Sequence, residues 1–452
     1  MPFIKTLFTI ALPIILQDTL TSFVNMLDTI MVGQMGAVEI AAVGLGNQVF
    51  FLMSLVIFGI AGGGSVFIAQ YWGKKDYKAI HKTTGLMLKF SLLFTLIFAL
   101  ISLFIPELVL SLYSKDMQVV RLGGRYLRIV APSYIFFGIN VCFASSERST
   151  EHLKLPAIAT ISSVILNAIL NYILIFGVTI NGIQIVGAYG ISGAAMATVI
   201  SRIVEALIVT LGAYIKRYEI SAPVKEYFSS SKEFILQYLK ICIPIIFNQL
   251  LWGAGISMQS SIFAHSGTFA IAAFNIMNTI SNLLYPVCTG CGNATAIIIG
   301  KTIGEGKIQE AKILAKRISL FILGISFALG LFIIPLSRIL PFVFKVEPQV
   351  ISMACVFIII RAFIFGLDAY NMTCVIGVFR SGGDTLYALV LDTAIMWILA
   401  IPLGWLAVSL WHLPYWAVYL CLASEPFIKS FFFDWKNAGW KMAQADNIMK
   451  EG

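Results

Sequence analysis

The chain has 452 residues, of which 59% are hydrophobic and only 12% are charged, and its mean hydropathy is +0.90. These values exclude a soluble globular domain and an intrinsically disordered chain, and they indicate an integral membrane protein. The formal net charge of +9 does not indicate nucleic-acid binding, because the basic residues form no stretch interleaved with aromatic residues.

Apolar runs long enough to cross a membrane follow one another along the chain, since one crossing helix needs about 20 apolar residues. Twelve runs of this kind lie at 7–32, 45–69, 86–105, 126–144, 156–176, 191–213, 241–264, 274–300, 318–336, 351–378, 386–410 and 415–433. The first run continues without an A-x-A-like cleavage site, so we expect a retained helix and not a signal peptide. The sequence therefore predicts an all-α membrane protein with twelve transmembrane helices.

Lysine and arginine are concentrated in alternate loops between these runs. They follow the even-numbered runs, with Arg380 counted among the cations after the tenth, whereas the loops at 34–43, 178–189, 265–270 and 411–414 contain neither residue. This positive-inside pattern predicts that both termini are cytoplasmic. One loop disagrees, because Lys115, Arg121 and Arg125 lie on the predicted outer side.

The two halves of the chain are related by an internal repeat. Matching residues recur at a spacing of 231 or 232 positions: Pro13 with Pro244, Gly73 with Gly304, and Arg148-Ser149 with Arg380-Ser381. Because each half holds an even number of crossings, both have the same orientation in the membrane. We expect an N-terminal six-helix lobe at 1–215, a cytoplasmic linker at 216–240, a C-terminal six-helix lobe at 241–435 and a cytoplasmic tail at 436–452.

The first run carries a polar stripe. At 100° per residue, Gln17, Thr21, Asn25 and Asp28 fall within an arc of roughly 80°. A charged group at the middle of a membrane helix costs about 2.5–3.5 kcal/mol on insertion scales. We therefore interpret Asp28 and the nearby Asn25 as part of a cation or proton site, and Gln17 and Thr21 as cavity residues. The alternative is an acid that hydrogen-bonds a neighbouring helix.

The second half has lost most of this stripe. The matching positions carry Asn248, Trp252, Ile256 and Gln259. An ion bound at this level would therefore belong to the first lobe, and we place Trp252 and Gln259 in a substrate cavity.

The fifth run supplies partners for Asp28. Ser163, Asn167 and Asn171 recur at i, i+4 and i+8 and share one helix face. Two amide oxygens and a carboxylate suit a proton or Na⁺ and not a transition metal, although Asn side chains also join helices by hydrogen bonds. Thr198 on the sixth run is a further candidate for the ion site.

Other charged residues lie within later runs. Arg202 and Glu205 are spaced i, i+3 and should neutralise each other. Arg361 and Asp368, seven residues apart with Asn371 one turn later, form either a self-neutralising pair or a substrate or proton site in the second lobe. Glu425 in the last run is an acid whose partner the sequence does not identify.

Several classes of site have no support in the sequence. The seven cysteines all lie within apolar runs, and the one C-x-x-C pair, Cys288 and Cys291, lacks further ligands at a suitable spacing. We expect no cofactor and no metal other than a Na⁺ ion at Asp28. No nucleophile–base set or phosphate loop is visible, so we do not expect an enzyme.

Four segments in this order, VNMLDTIMVGQMGAVEIAAVG, NAILNYILIFG, GAYGISGAAMAT and VFRSGGDT, resemble the multidrug and toxic compound extrusion (MATE) transporters. The resemblance covers essentially the whole chain. It implies two lobes that form a V-shaped cavity in a monomeric, plasma-membrane protein. It also implies export of lipophilic, cationic drugs or toxins in exchange for Na⁺ or H⁺ by alternating access.

The resemblance also assigns residues. Asp28 matches the family's first-helix acid, Asn167 and Asn171 match its cation partners, and Asp368 matches the tenth-helix acid of the NorM-like branch. Trp252 stands where that branch has a Glu on the seventh helix, and this departure counts against a second-lobe Na⁺ site.

Two other transporter classes remain as alternatives. A major-facilitator exporter would also have two six-helix halves, but the loop at 73–78 matches only the beginning of its G-x-x-x-D-R-x-G-R pattern. A lipid-linked sugar or polysaccharide flippase of the same superfamily would more often have fourteen helices and a cationic cavity, whereas the cavity candidates in this sequence are mainly acidic.

Overall fold

The structure is a computed structural model that describes residues 2–180, 183–339 and 346–439. Almost all of these residues are helical. A helix pairs its backbone N–H and C=O groups within itself. An open strand or a loop leaves such groups unpaired, and hydrocarbon offers them no hydrogen-bond partner. The predicted all-α membrane architecture is confirmed.

The described residues of the first half form eight helices and a two-stranded sheet. The helices are α1 (Pro2–Gly33), α2 (Ala37–Lys74), α3 (Tyr77–Phe104), α4 (Pro106–Ser111), α5 (Met117–Val130), α6 (Ser133–Ser149), α7 (Lys154–Phe176) and α8 (Ile191–Ile215). Between α7 and α8, strands β1 (Val178–Ile180) and β2 (Ile183–Val186) pair antiparallel, with Val178 opposite Val186. Only a loop is predicted there, so the hairpin is an addition to the predicted structure.

The second half follows a similar order. Its helices are α9 (Val224–Tyr227), α10 (Lys232–His265), α11 (Thr268–Gly304), α12 (Ile308–Ile333), α13 (Pro348–Met372), α14 (Thr385–Ala394), α15 (Ile401–Ser409), α16 (Tyr415–Leu422) and α17 (Glu425–Gly439). A 3₁₀ helix, Ile334–Ile339, follows α12. Two π-helical segments extend neighbouring helices: Thr373–Arg380 continues α13, and Ile395–Ala400 joins α14 to α15.

Most of the predicted crossings are present as long helices. In the described part of the chain, 10 helical segments are long and apolar enough to span a bilayer, and the number becomes 11 if α5 and α6, bent by 53°, count as one crossing. The last predicted run, 415–433, is divided between the shorter helices α16 and α17.

The internal repeat is visible in the positions at which helices begin. Three pairs of first residues are each separated by 231 positions: Ala37 and Thr268, Tyr77 and Ile308, and Met117 and Pro348. Pro13 lies inside α1 and its counterpart Pro244 lies inside α10. The repeat is therefore visible in the positions of the helices along the chain as well as in the sequence.

The chain forms two compact units, which are described separately. The N-terminal unit contains residues 16–68 and 76–242, and the C-terminal unit contains the described residues of 1–15, 69–75 and 243–452. The lobes at 1–215 and 241–435 and the linker at 216–240 remain predictions. In the predicted tail at 436–452, residues 440–452 lie outside those that the structure describes.

An apolar cluster holds α1 against α7 and α8 in the N-terminal unit. Val32, Ile175 and Ala194 are its buried members. Val32 and Ile175 each follow a polar candidate, Asp28 and Asn171, by four residues, which is about one helical turn. The apolar contact therefore fixes the depth at which these two polar side chains face each other.

Glycines allow a close helix crossing in the C-terminal unit. A Cβ atom on Gly73 would lie 2.1 Å from the Lys301 carbonyl oxygen, and one on Gly304 would lie 1.9 Å from the Gln70 carbonyl oxygen. Both distances are far too short for a side chain, so the end of α2 and the end of α11 can approach this closely only with glycine at these two repeat-equivalent positions.

Candidate functional site

The predicted ion-site residues of the first and fifth runs meet in the N-terminal unit. The Asn171 side-chain nitrogen on α7 donates to Asp28 Oδ1 on α1 at 2.5 Å. Asn171 is also within 3.1 Å of Asn167, one turn earlier on the same helix. The i, i+4 spacing of the two asparagines therefore presents both amides to the carboxylate.

The orientation of the Asn167 amide follows from its hydrogen-bond partners. With its nitrogen turned towards Asp28, it donates to both carboxylate oxygens, at 3.0 and 3.1 Å. With its oxygen in that position, three oxygens meet, and they repel one another unless a proton or a cation lies between them. Asn171 Oδ1 is buried and accepts no hydrogen bond from the described residues, so a further oxygen is available to a ligand.

The other two predicted members of the ion site are less closely tied to Asp28. The Thr198 hydroxyl donates to the Ala194 carbonyl oxygen of its own helix at 3.1 Å. The side chain of Asn25 lies outside the described part of the structure. The cluster that the geometry supports therefore consists of Asp28, Asn167 and Asn171.

A second set of polar side chains, the N-terminal polar chain, links α1, α7 and α8. The Gln17 nitrogen donates to Thr160 Oγ1 at 2.7 Å, and the Thr160 hydroxyl donates to Glu205 Oε1 at 2.9 Å. Arg202 completes the chain with a 3.1 Å ion pair to Glu205, as the sequence predicts. The Thr21 hydroxyl donates to the Gln17 carbonyl oxygen.

Arg202 is also held by aromatic rings. Its guanidinium carbon lies 5.7 Å from the centre of the Phe50 ring and 5.1 Å from that of Phe137. Cation–π contacts at these distances stabilise a guanidinium that is not fully solvated. The buried Glu205 carboxylate is thus neutralised by a cation that is itself firmly placed.

The C-terminal unit contains a pocket of about 370 Å³. Four predicted site residues line it: Trp252, Gln259, Asp368 and Asn371. Trp252 stacks on Tyr285, with ring centres 5.9 Å apart. The other two predicted cavity residues, Gln17 and Thr21, belong to the N-terminal unit.

The pocket lining is balanced in charge. It includes three acids and three bases: Asp368, Asp392, Glu425, Arg361, Arg380 and Lys429. The expectation of a mainly acidic cavity is wrong for this pocket. The sequence predicts Arg380 as a loop cation, but it ends a π-helical segment and is only 8% exposed, because the helix continues further than the apolar run indicates.

Arg361 and Asp368 form an ion pair, which supports the self-neutralising interpretation, and both still line the pocket. Asn371 donates to the Pro426 carbonyl oxygen at 2.8 Å and accepts from the Ser430 hydroxyl at 2.9 Å. Asn371 therefore joins α13 to α17 while part of it faces the pocket.

The partner of Glu425 is Lys429, one turn later on α17. Lys429 also donates to Asp392 Oδ1 at 2.5 Å, and the Asn248 nitrogen donates to Asp392 Oδ2 at 2.8 Å. We call Asn248, Asp392, Lys429 and Glu425 the C-terminal polar chain. Asp392 is not among the predicted site residues, although it is the one acid in the apolar run 386–410.

Comparisons with known proteins agree with this architecture. The family model MatE matches residues 13–173 and 244–406, two ranges that begin 231 positions apart. A probable multidrug resistance protein NorM of Thermotoga maritima is 26% identical over 421 residues, which cover 90% of this chain and 86% of the relative. An uncharacterized transporter, YisQ of Bacillus subtilis, is 24% identical over 401 residues, with 89% and 87% covered.

A solved structure shows the same fold. A MOP superfamily transporter from Pyrococcus furiosus superposes with a TM-score of 0.85 at 20% identity, over 98% of this chain and 96% of that one. Its binding pocket is described as reversed in polarity.

Proposed function

The chain belongs to the MatE family of multidrug and toxin efflux transporters, and on this premise we propose that it is an antiporter that exports lipophilic, cationic compounds in exchange for Na⁺ or H⁺. The family establishes a multi-pass membrane transporter of small molecules. The coupling ion and the cationic substrate class are the proposal. The observation that carries it is the contact of Asp28 with Asn167 and Asn171.

The three side chains offer an ion two states. Without an ion, the carboxylate is stabilised by amide N–H groups, as in the 2.5 Å bond from Asn171. With a proton or Na⁺ bound, the Asn167 amide can turn its oxygen inward, and Asn171 Oδ1 becomes a further ligand. Carboxylate and amide oxygens are hard ligands, which Na⁺ prefers. The site needs no cofactor, since the ion is itself transported.

Coupling follows from differential affinity. If the ion binds one conformation more tightly and the substrate binds the other more tightly, each ligand displaces the other. A membrane potential of 100 mV contributes about 2.3 kcal/mol per charge moved. This energy changes the ratio of the two conformations by about fiftyfold.

The pocket of the C-terminal unit fits a lipophilic substrate. Trp252 and Tyr285 provide an aromatic wall, and the carboxylates of Asp368 and Glu425 lie in the lining, each paired with a cation. Aromatic faces attract lipophilic cations. We propose this pocket as part of the substrate path.

We further propose that the protein acts as a monomer in the plasma membrane, without enzymatic activity and with both termini cytoplasmic. Single cysteines in a cysteine-free variant test the orientation. An impermeant thiol reagent should label positions 34 and 265 from outside intact cells, and it should label positions 75, 225 and 307 only after lysis. Labelling of position 225 in intact cells would overturn this orientation.

The exchange is tested with purified protein in liposomes, with tetraphenylphosphonium as the substrate. A pH gradient alone and a Na⁺ gradient alone are imposed in separate experiments, and uptake into the liposomes is measured. We expect one of the two gradients to drive accumulation above the equilibrium level reached without a gradient. If neither gradient changes tetraphenylphosphonium accumulation, the chain is not an antiporter of this kind.

A further inference from the structure

One cation in the pocket of the C-terminal unit forms no ion pair within the described part of the chain. Arg380 lines the pocket and is 8% exposed. Its terminal nitrogen donates to the side-chain oxygens of Asn248, at 2.5 Å, and Gln249, at 3.4 Å. Its Nε is buried and has no hydrogen-bond partner among the described residues. In that part of the chain, no carboxylate forms an ion pair with it.

The other charged side chains of the pocket form ion pairs with one another. Arg361 is paired with Asp368, and Lys429 is shared by Asp392 and Glu425. Arg380 is therefore a buried guanidinium whose direct contacts among the described residues are neutral amide oxygens, while Asp392, which Asn248 also contacts, attracts it without an ion pair. Burial of an ion without a counterion is costly, and a bound anion would relieve that cost. A planar guanidinium with free N–H groups matches the two oxygens of a carboxylate.

The surroundings of Arg380 add an aromatic surface. Gln249, which it contacts, lies one turn before Trp252 on α10. Trp252 stacks on Tyr285 with a 25° angle between the rings, and both rings line the same pocket as Arg380. A flat ring placed against Trp252 would therefore lie within reach of the guanidinium through a short substituent.

We propose that Arg380 binds the carboxylate of aromatic substrates, whose ring lies against Trp252 and Tyr285. The role of this subsite in export rests on the proposed transport function, but the binding itself requires no ion gradient. The substrates then include aromatic acids, and they include zwitterions that also carry an ammonium group.

A purely structural role for the arginine predicts different neighbours. Arg148, its repeat counterpart, also lies near a helix end, and the acids Asp18, Glu147 and Glu205 of the same unit attract it. Acids thus attract the arginine at this position of the repeat. In the C-terminal unit the direct contacts of Arg380 are amides, and Asp392, the acid that attracts it, is itself bonded to Lys429.

The test uses the full-length protein in lipid nanodiscs, without any gradient, and isothermal titration calorimetry with empty nanodiscs as the blank. Three probes share one ring system: 2-naphthoate, neutral 2-naphthamide and 2-naphthylmethylammonium. We expect 2-naphthoate to bind the wild type about tenfold more tightly than 2-naphthamide, from one charge-assisted interaction. Arg380→Gln should remove this preference, and Arg380→Lys should retain part of it.

Two controls separate recognition from folding. Arg148→Gln changes the repeat-equivalent arginine and should keep the preference for 2-naphthoate. Arg380→Gln should still bind 2-naphthylmethylammonium, which shows that its pocket is intact. If this variant does not fold, the wild-type comparison of 2-naphthoate with 2-naphthamide decides the proposal.

Equal affinity of the wild type for 2-naphthoate and 2-naphthamide would overturn the proposal, as would a preference that persists in folded Arg380→Gln. The result is independent of the liposome experiment. A carboxylate preference without gradient-driven accumulation would leave the subsite in place and refute the antiport, and the reverse combination would refute only the subsite.

Discussion

The two polar chains occupy corresponding places in the repeat but carry different charges. The N-terminal polar chain runs from Gln17 through Thr160 and Glu205 to Arg202, and the C-terminal polar chain runs from Asn248 through Asp392 and Lys429 to Glu425. Each begins with an amide on the first helix of its half. Each then passes to the fifth apolar run of that half and ends on the sixth. The order of the helices is thus shared, whereas Thr160 contacts an acid, Glu205, and Asp392 contacts a base, Lys429.

This difference separates two uses of a buried acid. Among the described residues, Asp28 is hydrogen-bonded by amides and forms no ion pair, so it can exchange a proton or a cation without breaking one. Asp392 and Glu425 are held by Lys429, so neutralisation of either acid would weaken that pairing. The position that corresponds to Asp28 carries Gln259, which cannot change its charge. We infer that the N-terminal unit is responsible for ion coupling and that the C-terminal unit has fixed charges suited to substrate recognition.

The largest expected effect is that of Asp28→Asn. Asn has nearly the same shape and can form hydrogen bonds, so the variant should fold, but it cannot alternate between charged and neutralised states. Gradient-driven accumulation of tetraphenylphosphonium in liposomes should be lost, while equilibrium binding persists. The matched control, Gln259→Asn, alters the corresponding position of the C-terminal unit and should remain coupled. Full accumulation by Asp28→Asn at normal expression would contradict our assignment of the ion site.

Next in size is the effect of Lys429→Met on stability. The substitution leaves Asp392 and Glu425 buried without a cation, which costs about 3–5 kcal/mol for a broken buried pair. We expect a large fall in thermal denaturation temperature, measured in detergent by tryptophan fluorescence. The comparison variant Glu205→Met should lose less, because Arg202 stays on its aromatic rings. A triple variant that adds Asp392→Asn and Glu425→Gln should recover most of the loss; without such recovery, the ion pairs are not the cause.

A smaller effect is expected when the amide partners of Asp28 are removed. Asn171→Ala and Asn167→Ala each delete one neutral ligand and leave the carboxylate in place. The concentration of coupling ion needed for half-maximal exchange should rise about tenfold, which corresponds to one lost hydrogen bond or ligand. Asn371→Ala, an amide of the C-terminal unit, serves as the control and should leave this concentration unchanged. An equal rise in the control would show that the effect is not specific to the ion site.

The smallest and most variable effect is expected for Asp368→Asn. It leaves Arg361 without its counterion and changes the charge of the pocket, so efflux rates should change about two- to tenfold and differently for each substrate. Exchange should still follow the ion gradient. Loss of coupling for every substrate, with coupling retained in Asp28→Asn, would reverse the roles that we assign to the two units.

Much of this arrangement can be predicted from local patterns. The polar stripe of the first run and the i, i+4 spacing of Asn167 and Asn171 predict the contact with Asp28, since both patterns specify a helix face. The hairpin at 178–186 is missed although the sequence contains Asn181-Gly182, a strong turn signal between apolar residues. Strands this short do not form a long apolar run, so the signal that indicates the membrane helices does not indicate this sheet.

The C-terminal polar chain is harder to predict, because its members come from three distant helices. Asp392 gives a signal of its own, as an acid inside an apolar run. Lys429 does not, since a lysine near the end of the last run also fits a cytoplasmic flank. The burial of Arg380 depends on a π-helical continuation of α13, and no sequence pattern used here specifies the i to i+5 bonding of such a turn.

That π-helical segment has a consequence for the spacing of the repeat. Helix starts in the two halves differ by 231 positions as far as Met117 and Pro348, but Arg148 and Arg380 differ by 232. The two halves therefore differ by one residue between these positions, and a π turn absorbs one extra residue without interrupting the helix. Thr160 and Asp392, also 232 positions apart, still reach equivalent amides on Gln17 and Asn248. A length difference of one residue inside a membrane helix is thus compatible with the shared contacts, because a single widened turn can absorb it.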